Sequence, residues 1–357
     1  GRKVTMYASL LMMGISTSII GILPPAASAG VGVVIVLQLM RLAQCFGRGG
    51  TWGGGILMAY ENVPENKRSF YAAIPQIGLP IGFGLSSILI AVPTLLLPED
   101  IFFTWGWRIP FLAAIILTLI VIRQKGEMME TEDYKKAQAK LEAEEAEGKK
   151  HKVGFIPMVK GYWKTLLLGC GTRWVDGTFY NIFIVWILSY CINWLGMPLI
   201  QTYIITIIAC IFKIPFTLFG GWCAQKLGNT RTFVIGALAS AVLSIPTLKV
   251  IELSKGNLAI TIIGIVLGWS IAYNLIWAVI SSLWSSYFET EVRYSGISFV
   301  YHVPSFLVAG MVPTICTLLI NYGKGDTIYV GIYSTVVALI SAACALALKA
   351  RHDRGEK

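Results

Sequence analysis

Apolar runs of roughly 20 residues recur along this chain, each long enough to cross a ~30 Å bilayer core as a helix. Polar and turn-forming residues interrupt them, which predicts ten spans at about 4–24, 31–60, 69–97, 105–123, 163–193, 199–224, 231–251, 257–287, 294–320 and 327–349. Most connections are short and carry turn chemistry, as in Pro24-Pro25, Pro64-Glu65-Asn66, Gly256-Asn257 and Gly323-Lys324-Gly325-Asp326. The sequence lacks the ten-residue alternating segments of a membrane β-barrel. The expected fold class is an all-α, multi-pass membrane protein.

One connection breaks the pattern. Residues 124–162 are rich in Glu, Lys and Ala, a composition that suits a solvated helix. They divide the spans four before and six after. The predicted organisation is a partial N-terminal helix bundle (1–123), a cytoplasmic linker (124–162), and a C-terminal six-helix bundle with a short cytoplasmic tail (163–357). Read as a truncation, two further N-terminal helices would restore six plus six, the plan of transporters built from two six-helix halves.

Composition agrees with a membrane chain: 55% of residues are hydrophobic and 13% charged, and mean hydropathy is +0.68. A soluble domain carries about 25% charged residues. The net charge of +10 could suggest nucleic acid, but its placement reports orientation instead. Most of the 29 Lys and Arg lie near Arg2, Lys67, within 123–164, at Lys226 to Arg231, at Arg293 and after Lys349. Only Arg108, Lys249, Lys255 and Lys324 occupy the alternate loops. By the positive-inside rule the basic loops and the C-terminus are cytoplasmic, in the inner (cytoplasmic) membrane. The seven cysteines form no CxxC pair and no His/Cys cluster, so neither a metal nor a disulfide is expected. No nucleophile–base set appears, so no catalytic residue, enzyme activity or cofactor is expected.

Four cations interrupt the spans. Arg41 and Arg48 sit in a glycine-rich run two helical turns apart, on roughly one face and about 10 Å apart along the axis. Arg173 and Lys213 approach mid-depth on two other spans. Charges at that depth are normally aimed at a partner, a cavity or a substrate. Asp176, three residues after Arg173, can pair with it. The cation excess points to an anionic substrate, because a carboxylate would complete the guanidiniums in bidentate geometry. Candidate proton-coupling groups are Asp176, whose protonation would free Arg173, and His302, which titrates near physiological pH. Gln76, Tyr180, Asn181, Tyr273, Asn274 and Tyr301 can supply polar cavity contacts or simple helix packing. Glu61 is expected to face Lys67 or Arg68 at the cytoplasmic end.

The motifs resemble the major facilitator superfamily, and within it the metabolite:proton symporter family. Gly1-Arg2-Lys3 is similar to the last residues of the superfamily signature joining helices two and three. A second, weaker copy runs from Gly221 through Gln225, Lys226 and Gly228 to Arg231, with Gln225 in place of the motif Asp. The family's helix-four pattern is met at Arg41, Leu42, Gln44, Gly49, Gly50, Trp52, Gly53 and Gly54, with Thr51 in place of its Glu and Cys45 in place of its first Gly. Pro75-Gln76 with Gly78, Trp105 to Phe111, Val292 to Gly296, and Arg173 to Gly177 are similar to further family segments.

The resemblance implies ten of twelve helices of a fold with two pseudo-symmetric bundles around a central cavity. It implies a monomeric secondary transporter working by alternating access on the proton gradient, with Arg2, Lys3, Gln225, Lys226 and Arg231 in gating loops. The family's range covers carboxylates such as shikimate, 2-oxoglutarate and citrate, and zwitterionic osmolytes such as betaine and proline. The cation excess favours a carboxylate. Alternatives are a zwitterion symporter, an exporter or facilitator, and a non-transporting receptor or fragment. Arg48 has no counterpart in the family pattern.

Overall fold

The structure, a computed structural model, describes residues 2–123, Ala139 and 155–356; the side chains of Arg2 and Lys3 and most of the expected linker lie outside the described residues. Ten helices have membrane length and composition: α1 (Val4–Ile22), α2 (Val31–Glu61), α3 (Glu65–Leu96), α4 (Gly106–Arg123), α5 (Ile156–Asn193), α6 (Leu199–Leu227), α7 (Asn229–Leu253), α8 (Leu258–Tyr287), α9 (Val292–Tyr322) and α10 (Ile328–Asp353). They follow the ten expected spans in order. The largest shift is at α5, which begins before residue 163 and bends at Tyr162, where φ is −115° and ψ is 18°.

Local chemistry sets the helix ends. Gly228, at φ 90°, turns the chain between α6 and α7, a conformation glycine adopts without Cβ strain. The Asn257 side chain accepts the Ile260 N–H at 3.2 Å and caps α8. At the end remote from the basic loops, Lys249 donates to Asp326 at 2.7 Å and joins α7 to the α9–α10 connection. That hydrogen bond holds the exposed Asp326 carboxyl below its ordinary value.

The helices group by their contacts. α1 packs against α2 and α4, while α5 packs against α9 and α10, and α7 against α8 and α10. The two groups meet where α3 lies along α6 and α8, and where α2 meets α9. Gly221 makes the α3–α6 approach possible, since a Cβ there would lie 2.7 Å from the Ala73 Cβ. Four interruptions cluster towards mid-height: 3-10 turns at Pro75–Ile77 and Ala309–Met311, and π-helical stretches at Asn181–Trp186 and Val266–Ala272. Such irregular turns free backbone groups and re-aim side chains, and they are frequent at functional sites.

Candidate functional site

A cavity of about 790 Å³ separates the two helix groups at mid-height. Cys45 and Arg48 reach it from α2, Phe83 and Ser86 from α3, and Arg173, Asp176, Tyr180 and Asn181 from α5. Trp277 comes from α8, and Tyr301, His302, Ser305 and Phe306 from α9. Aromatic rings and convergent polar groups share this wall, with Met13, Leu79 and several glycines completing the lining, a make-up that suits a small-molecule site.

Arg173 and Asp176 form the buried charged centre. One helical turn apart on α5, they are joined by an ion pair between Nη1 and Oδ2. The other Asp176 oxygen accepts the Tyr273 hydroxyl. Arg173 also donates through Nη2 to Ser305 at 3.3 Å, and its guanidinium lies 4.4 Å from the Tyr301 ring centre. Tyr301 in turn stacks on Trp52 of α2 at 3.9 Å and 23°. Pairing, hydrogen bonding and ring contact together offset the desolvation that makes isolated buried charges costly.

Arg48 is different. It is an exposed residue on the cavity wall, and among the described residues no carboxylate stands within ion-pair reach of it. Across the cavity His302 approaches Gly49, where a Cβ would lie 3.9 Å from the imidazole Nε2. Counting Arg48, Arg173 and Asp176, the wall carries one more fixed positive charge than negative.

Several expected site residues lie elsewhere. Arg41 shares the face of Arg48 but sits two turns away along α2, where it is exposed and donates to Gln44 at 3.2 Å; it does not line the cavity. Lys213 is fully buried behind Tyr273. Asn274 is spent on packing, donating to the Lys213 carbonyl at 2.8 Å and to Thr217 at 3.0 Å. Gln76 is buried beside the cavity floor, where its amide donates to the Trp277 carbonyl at 3.2 Å and its own carbonyl accepts the Trp277 indole N–H at 3.1 Å. Tyr180 and Tyr301 line the cavity as expected positions require. Ser305, Trp52 and Trp277 went unselected in the sequence. The available signals were a hydroxyl directly after Pro304 and two tryptophans well inside spans rather than at their ends.

The end bearing the basic loops is closed. Glu61 reaches across the two groups to Arg293 at 3.0 Å, with its carboxylate wholly buried. Gln225 donates to the Asn66 carbonyl and accepts the Phe70 N–H at 3.3 Å. A neutral amide thus serves both a carbonyl and an N–H, which an aspartate could not. Of its neighbours, Lys226 lies over the Trp222 ring at 4.3 Å, and Arg231 is exposed.

Comparison with known proteins adds an independent line. The sequence profile described as Major Facilitator Superfamily matches residues 1–309. An inner membrane metabolite transport protein of Escherichia coli is 32% identical over 99% of this chain and 79% of its own length. The shikimate transporter of Escherichia coli is 30% identical over 98% of this chain and 78% of its own. The proline/betaine transporter of Salmonella typhimurium is 27% identical over 99% and 70% respectively. Among solved structures, a proton:xylose symporter bound to a bromo-deoxyglucose superposes with a TM-score of 0.73 at 16% identity, covering 97% of this chain and 79% of that one. At that identity the likeness speaks to fold alone.

Proposed function

The chain belongs to the Major Facilitator Superfamily, and from that premise we propose that it is a proton-coupled symporter of a small carboxylate. Alternating access moves the substrate through the cavity between the two helix groups. The observation that carries the reading is the Arg48 guanidinium, which faces the cavity with no acid within ion-pair reach among the described residues. A cation left without a partner at membrane depth is completed by an anionic ligand, and guanidinium matches a carboxylate in bidentate geometry. The shikimate transporter among the relatives supports this class of cargo.

Coupling runs through Asp176. Protonating its carboxyl cancels the charge that holds Arg173, and the freed guanidinium adds a second donor to the cavity. His302 also lines the wall and is a second candidate proton carrier. The basic loops are assigned to the cytoplasm, so closure through Glu61–Arg293 and Gln225 corresponds to the outward-facing state.

A zwitterion is the second reading. The Arg173–Asp176 pair offers one charge of each sign, and aromatic rings such as Tyr301 suit a quaternary ammonium. The proline/betaine relative carries such a cargo by name. Arg48 tips the balance towards an anion.

The test is uptake into proteoliposomes of labelled shikimate and labelled betaine at a series of pH values. Arg48→Gln is expected to cut shikimate uptake about tenfold or more, the worth of a charged hydrogen bond, and to leave protein yield unchanged. Equal uptake by the variant and the parent would remove Arg48 from the site. Uptake that ignores the pH gradient would remove the coupling.

A further inference from the structure

Lys213 has the most unusual surroundings of any charged residue described. It is 0% exposed, and its Nζ lies 4.4 Å from the Trp269 ring centre and 4.3 Å from that of Tyr273. Its hydrogen bonding consists of one long contact, 3.5 Å, to the Trp269 carbonyl. Among the described residues no carboxylate stands within ion-pair reach of it. An ammonium has three donors, and ring faces compensate only part of a buried charge. A residue kept merely for packing would be better served by Leu or Met, because an uncompensated interior charge is strongly unfavourable.

The backbone around it is irregular on both sides. Pro215, two residues on, removes an N–H from α6, and the facing wall is the π-helical Val266–Ala272 of α8. The Trp269 indole N–H is buried without a partner, a second unsatisfied polar group in the same pocket. Tyr273 connects this pocket to the cavity: one face meets Lys213, and its hydroxyl binds Asp176.

The titratable neighbours are few. Tyr273 faces Lys213 from α8, and Cys210 lies one turn away on its own helix. From α5, Asp176, Arg173 and Tyr180 stand beyond the Tyr273 ring. The charged residues and tyrosine of α3 lie near its basic end, and those of α7 lie at its two ends.

We propose that Lys213 is a second proton-binding site of the transporter, coupled across the Tyr273 ring to the Asp176–Arg173 pair. A proton from water adds to the Nζ lone pair and gives an ammonium; no other bond changes. The added positive charge stabilises an anion in the cavity, and the bound anion stabilises the ammonium, so proton and substrate reinforce each other's binding. Arginine could not do this, because a guanidinium keeps its proton in a protein. Lys213 is a positioning residue here, since it touches Tyr273 and not the substrate.

The inference rests on the proton-coupled carboxylate reading above, and the experiment separates the two. The full chain is reconstituted in proteoliposomes, and labelled shikimate is followed in two modes: exchange at equal pH, and accumulation driven by an inward proton gradient. Lys213→Met is expected to retain exchange at saturating shikimate and to lose about tenfold in gradient-driven accumulation, within the usual range of coupling between two sites. Its pH profile flattens as well. Accumulation and pH profile matching the parent would overturn the proposal. Should Lys213→Met fail to fold by size-exclusion, Lys213→Gln carries the same two readouts. If the parent itself shows no gradient-driven accumulation, the symport reading falls and this inference with it.

Discussion

The closed end and the cavity bring the same two helix groups together in opposite ways. At the closed end the two groups are tied by partnered side chains: Glu61 meets Arg293 at 3.0 Å, and the neutral Gln225 serves two backbone groups of the opposite side. At mid-height the groups stand apart around about 790 Å³, and Arg48 faces that space with no partner acid within reach among the described residues. Paired groups hold the two halves together; on the proposed reading, Arg48 is left for a ligand. The two charges differ in both burial and pairing: Glu61 is buried and paired, while Arg48 is exposed with no acid in reach among the described residues.

The largest expected effect breaks the Arg173–Asp176 ion pair of the cavity wall. Asp176→Asn leaves Arg173 buried beside a neutral amide, a loss of roughly 3–5 kcal/mol for removing one partner of such a pair. Thermal melting in detergent should register it, and the double variant Arg173→Gln/Asp176→Asn should recover part. A single variant as stable as the parent would show the pair to be solvated. At the closed end, Glu61→Gln should cost about 1.5–3 kcal/mol of the closed arrangement and shift the population towards opening there. Cys45, the one cysteine that is exposed among the described residues and a lining residue of the cavity, reports the shift. Its labelling by a membrane-impermeant maleimide from the side remote from the basic loops should fall several-fold, and unchanged labelling would deny Glu61 a locking role. Gln225→Ala removes two neutral hydrogen bonds, one of them exposed, at about 0.5 kcal/mol each by the low end of the usual range, and should lower the same labelling less. An equal or greater drop would make the amide the principal latch.

Much of the architecture was legible in the sequence. Span length and apolar content are properties of contiguous residues, so nine of the ten helices could be placed within a few residues, while α5 begins at Ile156 rather than 163. Arg173 and Asp176 were legible for the same reason, one turn apart on one helix. Arg41 and Arg48 were not separable, because a seven-residue spacing fixes their shared face but not which of them stands level with the cavity. Lys213 was harder still. Its helix is apolar on all sides, so no pattern marks the face turned away from the cavity. Glu61 and Gln76 find partners 232 and 201 residues away, and nothing local announces such pairings. Packing of α2 against α9 brings Arg293 to Glu61 as a long-range partner.

The Trp52–Tyr301 stack has a consequence for timing. One ring belongs to α2 and the other to α9, so the pair straddles the divide that must move if the halves rock. Stacking of this kind contributes about 1 kcal/mol beyond area burial, not far above thermal energy. The rings can therefore slide past one another without adding a barrier of their own. Tyr301 also covers the Arg173 guanidinium from the same side of the divide, so parting the two rings would bare only the face of Tyr301 that Trp52 holds and leave that cation sheltered.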